Sequence, residues 1–396
     1  MPRRLVLGAG ALVAGIVAVL AVRIYTAGFG ADNDTWLMLG TWDALVERHR
    51  YVPSRPPGYA VPEVIIGATS ELAGSWSSNL VSVVLGAATL VLLHGLIRRR
   101  TSARTSALLL VGVLAVTPAF VIAATTSIDY VYGLFFFVAG WAVLETGRPS
   151  WLGGLLLGLA GASRLTYAPL ALVVIALGPG RSRPMRERVA ALALATAVTI
   201  VGYVPAWRSA GDLSFVTAQR PTGQGLVGLL GRAALKGADL LGVLGTVVGI
   251  VAVVLVVRAA RPGSARTHDR GAGEWWLLVV AGIQLVVWVW IPAEPSYLLP
   301  SLVALLAWVA RPGLSRAVTG ALAALVAVLG LYAVVDLRIV EVDHDNRYGY
   351  DTCDATEATG ARFRPHVTVG PLLGYPELSR DLRACNTQQR AAFTGG

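Results

Sequence analysis

The sequence is poor in charged residues, in cysteine and in lysine. Of its 396 residues, 14% are charged and 55% are hydrophobic, whereas soluble domains have about 25% charged residues. Two cysteines are too few for a disulfide-dense secreted domain, and Lys236 is the sole lysine, so arginine carries nearly all of the net charge of +10. These shortages exclude a soluble globular enzyme, a disordered chain and a collagen-like fibre.

Apolar sequence is abundant instead, in blocks of about 15–25 residues between short clusters of arginine, proline and glycine, as is typical of bilayer-spanning segments. The first block, from Leu5 to about Tyr25, is interpreted as an uncleaved first helix rather than a signal peptide. The sequence thus predicts an all-α polytopic membrane protein with about eleven transmembrane helices. The later blocks lie near residues 78–97, 106–124, 130–146, 151–162, 165–178, 189–207, 234–257, 274–291, 296–310 and 315–335.

The distribution of arginine predicts how the chain crosses the cell membrane. With a cytoplasmic N-terminus, arginine clusters such as Arg98–Arg100 and Arg181–Arg188 fall in inner loops, and acidic residues fall in outer ones. Residues 151–178 decide whether the number of spans is odd or even, and hence on which side each later loop lies. They form either one helix with Arg164 at its middle or two short helices that meet at Arg164. We favour two helices, which gives a transmembrane domain over residues 1–335 and an extracytoplasmic tail over 336–396.

Both cysteines, Cys353 and Cys385, lie in this tail. An extracytoplasmic compartment is oxidising, so we expect a disulfide that closes a loop of about thirty residues and stabilises the tail by roughly 3 kcal/mol. The alternative is a pair of free thiols.

The first outer loop, residues 26–77, is the longest stretch outside the spans and the tail. Trp36, Leu39, Trp42 and Val46 recur at helical spacing, which predicts a short amphipathic helix at the membrane interface. Acidic residues there are costly to desolvate unless they are used or paired, and the alternative is that they only cap this helix, which is expected to begin near Thr35. The two acids are Asp32 and Asp34.

The loop continues with S-R-P-P-G-Y at residues 54–59, a stiff turn able to hold Arg55 and Tyr59 in fixed positions. This order of one span, an acidic outer loop, an interfacial helix and S-R-P-P-G-Y resembles the GT-C superfamily of integral-membrane glycosyltransferases, which includes protein O-mannosyltransferases and aminoarabinose transferases. Three further segments agree: S-I-D-Y at 127–130, W-L-G-G-L-L-L-G-L-A-G-A-S-R at 151–164 and P-A-E-P-S-Y-L-L-P at 292–300.

The resemblance implies transfer of a hexosyl or pentosyl group from a polyprenyl-phosphate donor to a lipid, glycan or protein acceptor at the outer face, with inversion, in cell-envelope synthesis. Such a transfer needs a base for the acceptor hydroxyl and cations for the phosphate that stays on the lipid. Asp34 matches the family's first-loop acid and is our candidate base, with Asp32 as the alternative. Arg55 and Arg164 are the candidates for the phosphate, although Arg164 at the end of a short helix could instead snorkel.

Other residues are assigned to the same site with open alternatives. Glu63 and Glu294 either orient the sugar or pair with the two arginines. Asp129 and Tyr130 approach the same cavity, unless Asp129 only caps its helix. Tyr59 and Tyr297 pack or donate a hydrogen bond.

The remaining expectations concern partners. No nucleic acid is expected, because the basic residues lie at the ends of apolar blocks rather than on one face. Family members differ in metal use, so a divalent cation (Mg²⁺ or Mn²⁺) held by Asp34 and another acid stays open. The rival functions are a transporter or flippase, which should show paired halves and charges near the bilayer midplane, and a noncatalytic assembly factor.

Overall fold

The structure is a computed structural model that describes residues 21, 24, 28–29, 33–101, 103–213, 216, 225–238, 240–259, 274–292, 295–310, 316–331, 333–340 and 362–369. Three predictions fall wholly or almost wholly outside these residues: the first helix over 5–25, the acids Asp32 and Glu294, and the disulfide between Cys353 and Cys385.

The body of the described chain is helical, which confirms the all-α class there. Its first helices are α1 (Asn33–Arg48), α2 (Ala60–Ala73), α3 (Ser75–Arg100), α4 (Arg104–Val116), α5 (Pro118–Thr125), α6 (Tyr130–Glu145) and α7 (Ser150–Ser163). The later ones are α8 (Ala168–Ala176), α9 (Met185–Ala210), α10 (Leu226–Ala238), α11 (Gly242–Ala259), α12 (Trp275–Trp290), α13 (Leu299–Val309) and α14 (Arg316–Leu331). Short 3₁₀ turns at Leu165–Tyr167, Pro179–Ser182 and Pro295–Leu298 lie between them.

The helical hydropathy is that of a multi-pass membrane protein. Within the described residues, three segments are long and apolar enough to cross a bilayer, namely α3, Leu165–Ser182 and α9. The bent pair α4 and α5 adds a fourth if it counts as one span, and several further apolar helices are shorter, at 10–17 residues. The total of about eleven spans stays a prediction.

Two breaks in the helices have identifiable causes. Helices α4 and α5 meet at an angle of 68°, because Pro118 cannot donate its backbone N–H and forces Thr117 into an extended conformation (ψ 124°). Helix α7 ends at Arg164, whose backbone is also extended (φ −155°, ψ 121°). The prediction of two short helices that meet at Arg164 is therefore confirmed.

Helix α7 packs closely against α9 through its glycines. A Cβ atom added at Gly158 would lie 2.7 Å from the Cβ of Val198, so no larger residue fits without displacing α9. Close approach of this kind brings the end of α7, and Arg164 with it, into the protein interior. Arg164 is 2% exposed.

Beyond α14 the described residues are two strands, β1 (Ala333–Val340) and β2 (Arg362–Val369), which pair in an antiparallel sheet. Ala333 pairs with Val369 at one end and Val340 with Arg362 at the other. Valine and isoleucine recur in these segments, and such β-branched residues favour strands. Strand β1 runs across residue 335, where the predicted transmembrane domain ends.

Candidate functional site

Helix α1 carries the candidate base, Asp34. The helix begins at Asn33, within two residues of the expected start, and Asp34 lies in its first turn, where the positive end of the helix dipole favours a carboxylate. Its Oδ2 lies 3.1 Å from Nη2 of Arg55, so Asp34 does more than cap the helix. A quarter (25%) of its side chain is exposed. Burial of the remainder raises the pKa of Asp34 above its ordinary value, although the Arg55 guanidinium opposes this rise.

The turn that precedes α2 holds Arg55 beside Asp34. Gly58 adopts φ +94° and donates its N–H to the Arg55 carbonyl at 2.7 Å. A Cβ at Gly58 would lie 2.9 Å from the Cβ of Ala206 in α9. Position 58 therefore requires glycine for two reasons, its left-handed backbone and the contact with α9.

Asp129, which directly precedes α6, joins the two arginines. It is completely buried. Its Oδ1 accepts a hydrogen bond from Nη2 of Arg55 at 2.9 Å, and its Oδ2 accepts one from Nη1 of Arg164. The side chain makes no capping hydrogen bond to α6, so the alternative that Asp129 only caps its helix is wrong.

The Arg164 guanidinium lies among three tyrosine rings. Its Cζ is 4.0 Å from the ring centroid of Tyr130, 4.4 Å from that of Tyr297 and 5.1 Å from that of Tyr59. Tyr59 also contacts Arg55, whose Cζ lies 4.4 Å from its ring. These are cation–π distances, and the burial of Arg164 shows that its snorkelling alternative is wrong.

We name this group the Asp129 cluster. It brings together residues that the sequence assigned separately to one site: Asp34, Arg55, Tyr59, Asp129, Tyr130, Arg164 and Tyr297. Two carboxylates balance two guanidinium groups, yet Nη1 of Arg55 and Nη2 of Arg164 are buried and have no hydrogen-bond partner among the described residues. A buried donor without a partner costs about 1–3 kcal/mol, so the cluster is suited to receive anionic oxygens.

Glu63 occupies a different position from the one expected. Its carboxylate is completely buried, and its oxygens accept hydrogen bonds from the Tyr51 hydroxyl and from Ser54. Among the described residues these contacts take the place of an ion pair with Arg55 or Arg164, which was one of the two alternatives for Glu63. Burial raises the pKa of Glu63, against the effect of these hydrogen bonds.

A divalent cation held by Asp34 and another acid stays a prediction. Both described carboxylates of the Asp129 cluster already pair with guanidinium groups, and Asp32 lies outside the described residues. In the part of the chain that the structure describes, no group of three or more histidine, cysteine or acidic side chains is placed to hold a metal ion.

Sequence reasoning missed the residues that support the cluster. Asn79, buried in the apolar helix α3, donates to the carbonyl of Gly28 at 2.6 Å and accepts from the Ser127 hydroxyl at 2.7 Å, two residues before Asp129. An asparagine within an apolar helix is a signal that could have identified it. Ser54 begins the S-R-P-P-G-Y motif but was given no role of its own, and Tyr51 carries no comparable signal.

The fold and this cluster define a multi-pass helical membrane protein with paired arginines and carboxylates at one end of α6. Residues 54–207 match the model of the dolichyl-phosphate-mannose-protein mannosyltransferase family, a range that contains Arg55, Asp129 and Arg164. No curated protein matches the chain.

Two solved structures share the fold, both of ArnT from Cupriavidus metallidurans. The form bound to undecaprenyl phosphate matches with a TM-score of 0.53 at 16% identity, and the apo form with 0.52 at 16%. Each match covers 76% of this chain and 59% of the ArnT chain, so the chain spans less than two thirds of their length. The resemblance to the GT-C superfamily that the sequence motifs carry is confirmed by the family model and by this fold.

Proposed function

We propose that the protein is a membrane glycosyltransferase that moves a sugar from a polyprenyl-phosphate donor to an acceptor hydroxyl on the outer side of the membrane, with inversion. The observation that carries the proposal is the Asp129 cluster, in which two buried arginines with unpartnered nitrogens lie beside the partly exposed carboxylate of Asp34. The match of residues 54–207 to a family named for a polyprenyl-phosphate sugar donor supports it.

In this proposal Arg55 and Arg164 bind the phosphate of the donor. Their unpartnered nitrogens are Nη1 and Nη2 respectively, and arginine suits phosphate because its planar donors match pairs of phosphate oxygens. As the anomeric carbon leaves the phosphate oxygen, negative charge grows on the phosphate, and the two guanidinium groups stabilise it. Asp129 holds both guanidinium groups in place before the donor arrives.

Asp34 takes the proton of the acceptor hydroxyl. The acceptor oxygen then attacks the anomeric carbon from the face opposite the phosphate, so one carbon–oxygen bond forms while another breaks and the configuration inverts. A carboxylate whose pKa is raised is a better proton acceptor than an ordinary aspartate. Asp32 is the alternative base.

The arrangement of arginine supports the proposed sidedness. Asp129 precedes the first residue of α6, and Glu145 at the other end of that helix binds Arg100. Arg98 and Arg99 adjoin Arg100. By the positive-inside rule this arginine-rich end faces the cytoplasm and the Asp129 cluster faces outward.

Placement of the charges at a helix end also favours an enzyme over a transporter, whose charged sites lie near the bilayer midplane.

A transfer assay tests the proposal. Purified protein is given radiolabelled polyprenyl-phosphate sugars, and wild type is compared with Asp34→Asn. We expect transfer by the wild type and a loss of about 10²–10⁴-fold in the variant, the usual contribution of a general base. Glu47→Gln, an exposed acid on the same helix, is the matched control and should keep wild-type activity. Undiminished transfer by Asp34→Asn would eliminate Asp34 as the base.

A further inference from the structure

Glu63 is a buried carboxylate that the proposed reaction does not use. Its Oε1 accepts two hydrogen bonds from Ser54, one from the backbone N–H at 3.0 Å and one from the hydroxyl at 2.5 Å. Its Oε2 accepts a hydrogen bond from the Tyr51 hydroxyl. The three donors lie nine to twelve residues before Glu63 in the chain, so the carboxylate joins the start of α2 to the turn that precedes it.

Stability alone would not favour a carboxylate at this position. A carboxylate is expensive to bury, and although the charge of Arg55 acts favourably on it, no described arginine or lysine lies within salt-bridge distance of Glu63. An apolar residue of similar size would often stabilise such a site equally well. What a carboxylate provides, and an apolar residue cannot, is a fixed geometry for several donors at once.

The donors that Glu63 fixes are next to Arg55. Ser54 directly precedes Arg55, and both of its hydrogen-bond donors point to a single carboxylate oxygen. Tyr51, on the other side of the turn, packs against Tyr203 and Ala206 of α9. The turn that presents Arg55 is therefore attached to α2 and to α9, and Arg55 itself contacts Asp34 and Asp129.

We infer that Glu63 is a positioning residue, which holds the backbone of Ser54 so that the Arg55 guanidinium is aligned for the donor phosphate. The inference rests on the proposed function, because it assigns to Glu63 a role through Arg55. It requires that removal of the Glu63 hydrogen bonds weakens the binding of a polyprenyl phosphate. It also requires that the same removal has no effect on binding in a protein that lacks Arg55.

The test measures the affinity of purified protein for undecaprenyl phosphate in lipid nanodiscs. We expect Arg55→Ala to weaken binding by about tenfold or more, since a charge-assisted hydrogen bond is lost. Glu63→Ala should weaken it by about tenfold, because Ser54 is no longer fixed. Glu63→Gln should bind more tightly than Glu63→Ala, since its amide oxygen can accept both Ser54 donors as Oε1 does. Ser70→Ala, in the same helix, is the matched control and should match wild type, because the Ser70 hydroxyl donates to the carbonyl of Gly67 within its own helix.

A double-mutant cycle decides whether Glu63 acts through Arg55. The affinity of the Arg55→Ala, Glu63→Ala double variant should equal that of Arg55→Ala, because nothing is left to position. If the losses of affinity in the two single variants add fully in the double variant, the inference is overturned. Glu63→Gln binding as weakly as Glu63→Ala would also overturn it, since the charge of Glu63 and not its hydrogen bonds would then matter.

The outcomes separate this inference from the proposed function. Unchanged binding by Arg55→Ala removes the phosphate role of Arg55, and the inference falls with it. Weakened binding by Arg55→Ala together with wild-type binding by Glu63→Ala leaves the proposed function standing and overturns the inference alone.

Turnover gives a readout that general destabilisation would not produce. In Glu63→Ala the KM for the donor should rise more than kcat falls, with the acceptor KM unchanged, whereas a partly unfolded enzyme loses kcat only. Should Glu63→Ala not fold, Tyr51→Phe replaces it in the cycle. We expect this variant to lose about threefold in affinity through one hydrogen bond, and wild-type affinity would overturn the inference.

Discussion

Two ionic clusters lie at opposite ends of the same helix, and they are built differently. Helix α6 has 16 residues and is about 24 Å long, with Asp129 before its first residue and Glu145 as its last. At the Glu145 end lies a second group, which we name the Arg100 cluster and define as Arg100, Trp141, Glu145, Glu274 and Trp276.

Every guanidinium nitrogen of Arg100 has a carboxylate oxygen within 3.1 Å, although Nε makes no hydrogen bond among the described residues. Nη1 and Nη2 of Arg100 bind the two oxygens of Glu145 at 2.6 and 2.8 Å, and Nε lies 3.1 Å from Glu274. Trp141 donates its indole N–H to Glu145 at 2.6 Å and contacts the ring of Trp276. The cluster thus ties α3 and α6 to the beginning of α12.

The Asp129 cluster, in contrast, has spare donor capacity. Arg55 and Arg164 share the carboxylate of Asp129, and each keeps a buried nitrogen that lacks a hydrogen-bond partner among the described residues. A closed ionic network stabilises helix packing, whereas an open one can receive an anionic ligand. Each of the following changes tests this distinction.

The largest effect is expected from Arg164→Leu. Loss of one of the two cations that face the donor phosphate should lower kcat/KM by about 10²–10³-fold, as for removal of a group that stabilises transition-state charge. Asp129 keeps its pair with Arg55, so the variant should still fold, which size-exclusion chromatography and thermal unfolding in detergent can verify. Turnover close to wild type would contradict a binding role for the open cluster.

Arg100→Leu should affect stability rather than chemistry. Removal of the arginine takes one salt bridge from Glu145 and one from Glu274, and because both acids are partly exposed we expect a loss of about 2–4 kcal/mol in the free energy of unfolding, somewhat below that for a fully buried pair. Activity per folded molecule should stay within about threefold of wild type, since nothing in this cluster faces the donor. The free energy of unfolding is measured in mixed micelles. A large fall in turnover at unchanged stability would show that the two clusters are not distinct in role.

The pH dependence of transfer should follow Asp34. The base acts as the carboxylate, and burial raises its pKa, so kcat/KM should fall as the pH decreases through that raised pKa, by about tenfold per pH unit below it. This loss should begin at a higher pH than for an ordinary aspartate. This fall of kcat/KM at low pH is the acidic limb of the pH profile. The residual activity of Asp34→Asn should lack the acidic limb, while Glu145→Gln should retain it. An unchanged acidic limb in Asp34→Asn would assign the titration to another group.

The smallest effects come from a matched pair of glycines, one near each cluster. Gly58 and Gly147 both have positive φ, at +94° and +79°, so alanine strains either position by about 1 kcal/mol. At Gly58 a Cβ also contacts Ala206, whereas at Gly147 the nearest atom, Nη2 of Arg183, is 4.0 Å away. Gly58→Ala should therefore lower the donor affinity by several-fold through displacement of Arg55, and Gly147→Ala should not. Equal donor affinities of the two variants would show that the turn does not position Arg55.

Several features could be predicted from the sequence because they depend on local patterns. Hydropathy places the chain in a membrane, helical spacing of Trp36, Leu39 and Trp42 predicts α1, and the distribution of arginine favours a break at Arg164 over one long helix. The individual residues of the cluster could also be identified, since charged and tyrosine residues are rare in so apolar a chain and are expensive to place there without a use.

Only the tertiary structure decided how these residues pair. Arg55 and Asp129 are 74 residues apart in the chain, and Arg164 and Asp129 are 35 apart, so their contacts depend on how α6, α7 and the turn before α2 pack together. For the same reason the sequence left Glu63 either to orient the sugar or to pair with an arginine, whereas its hydrogen-bond donors are Tyr51 and Ser54. Periodicity reports which face of its own helix a residue occupies, but a buried charge takes its partner from whichever element packing brings beside it.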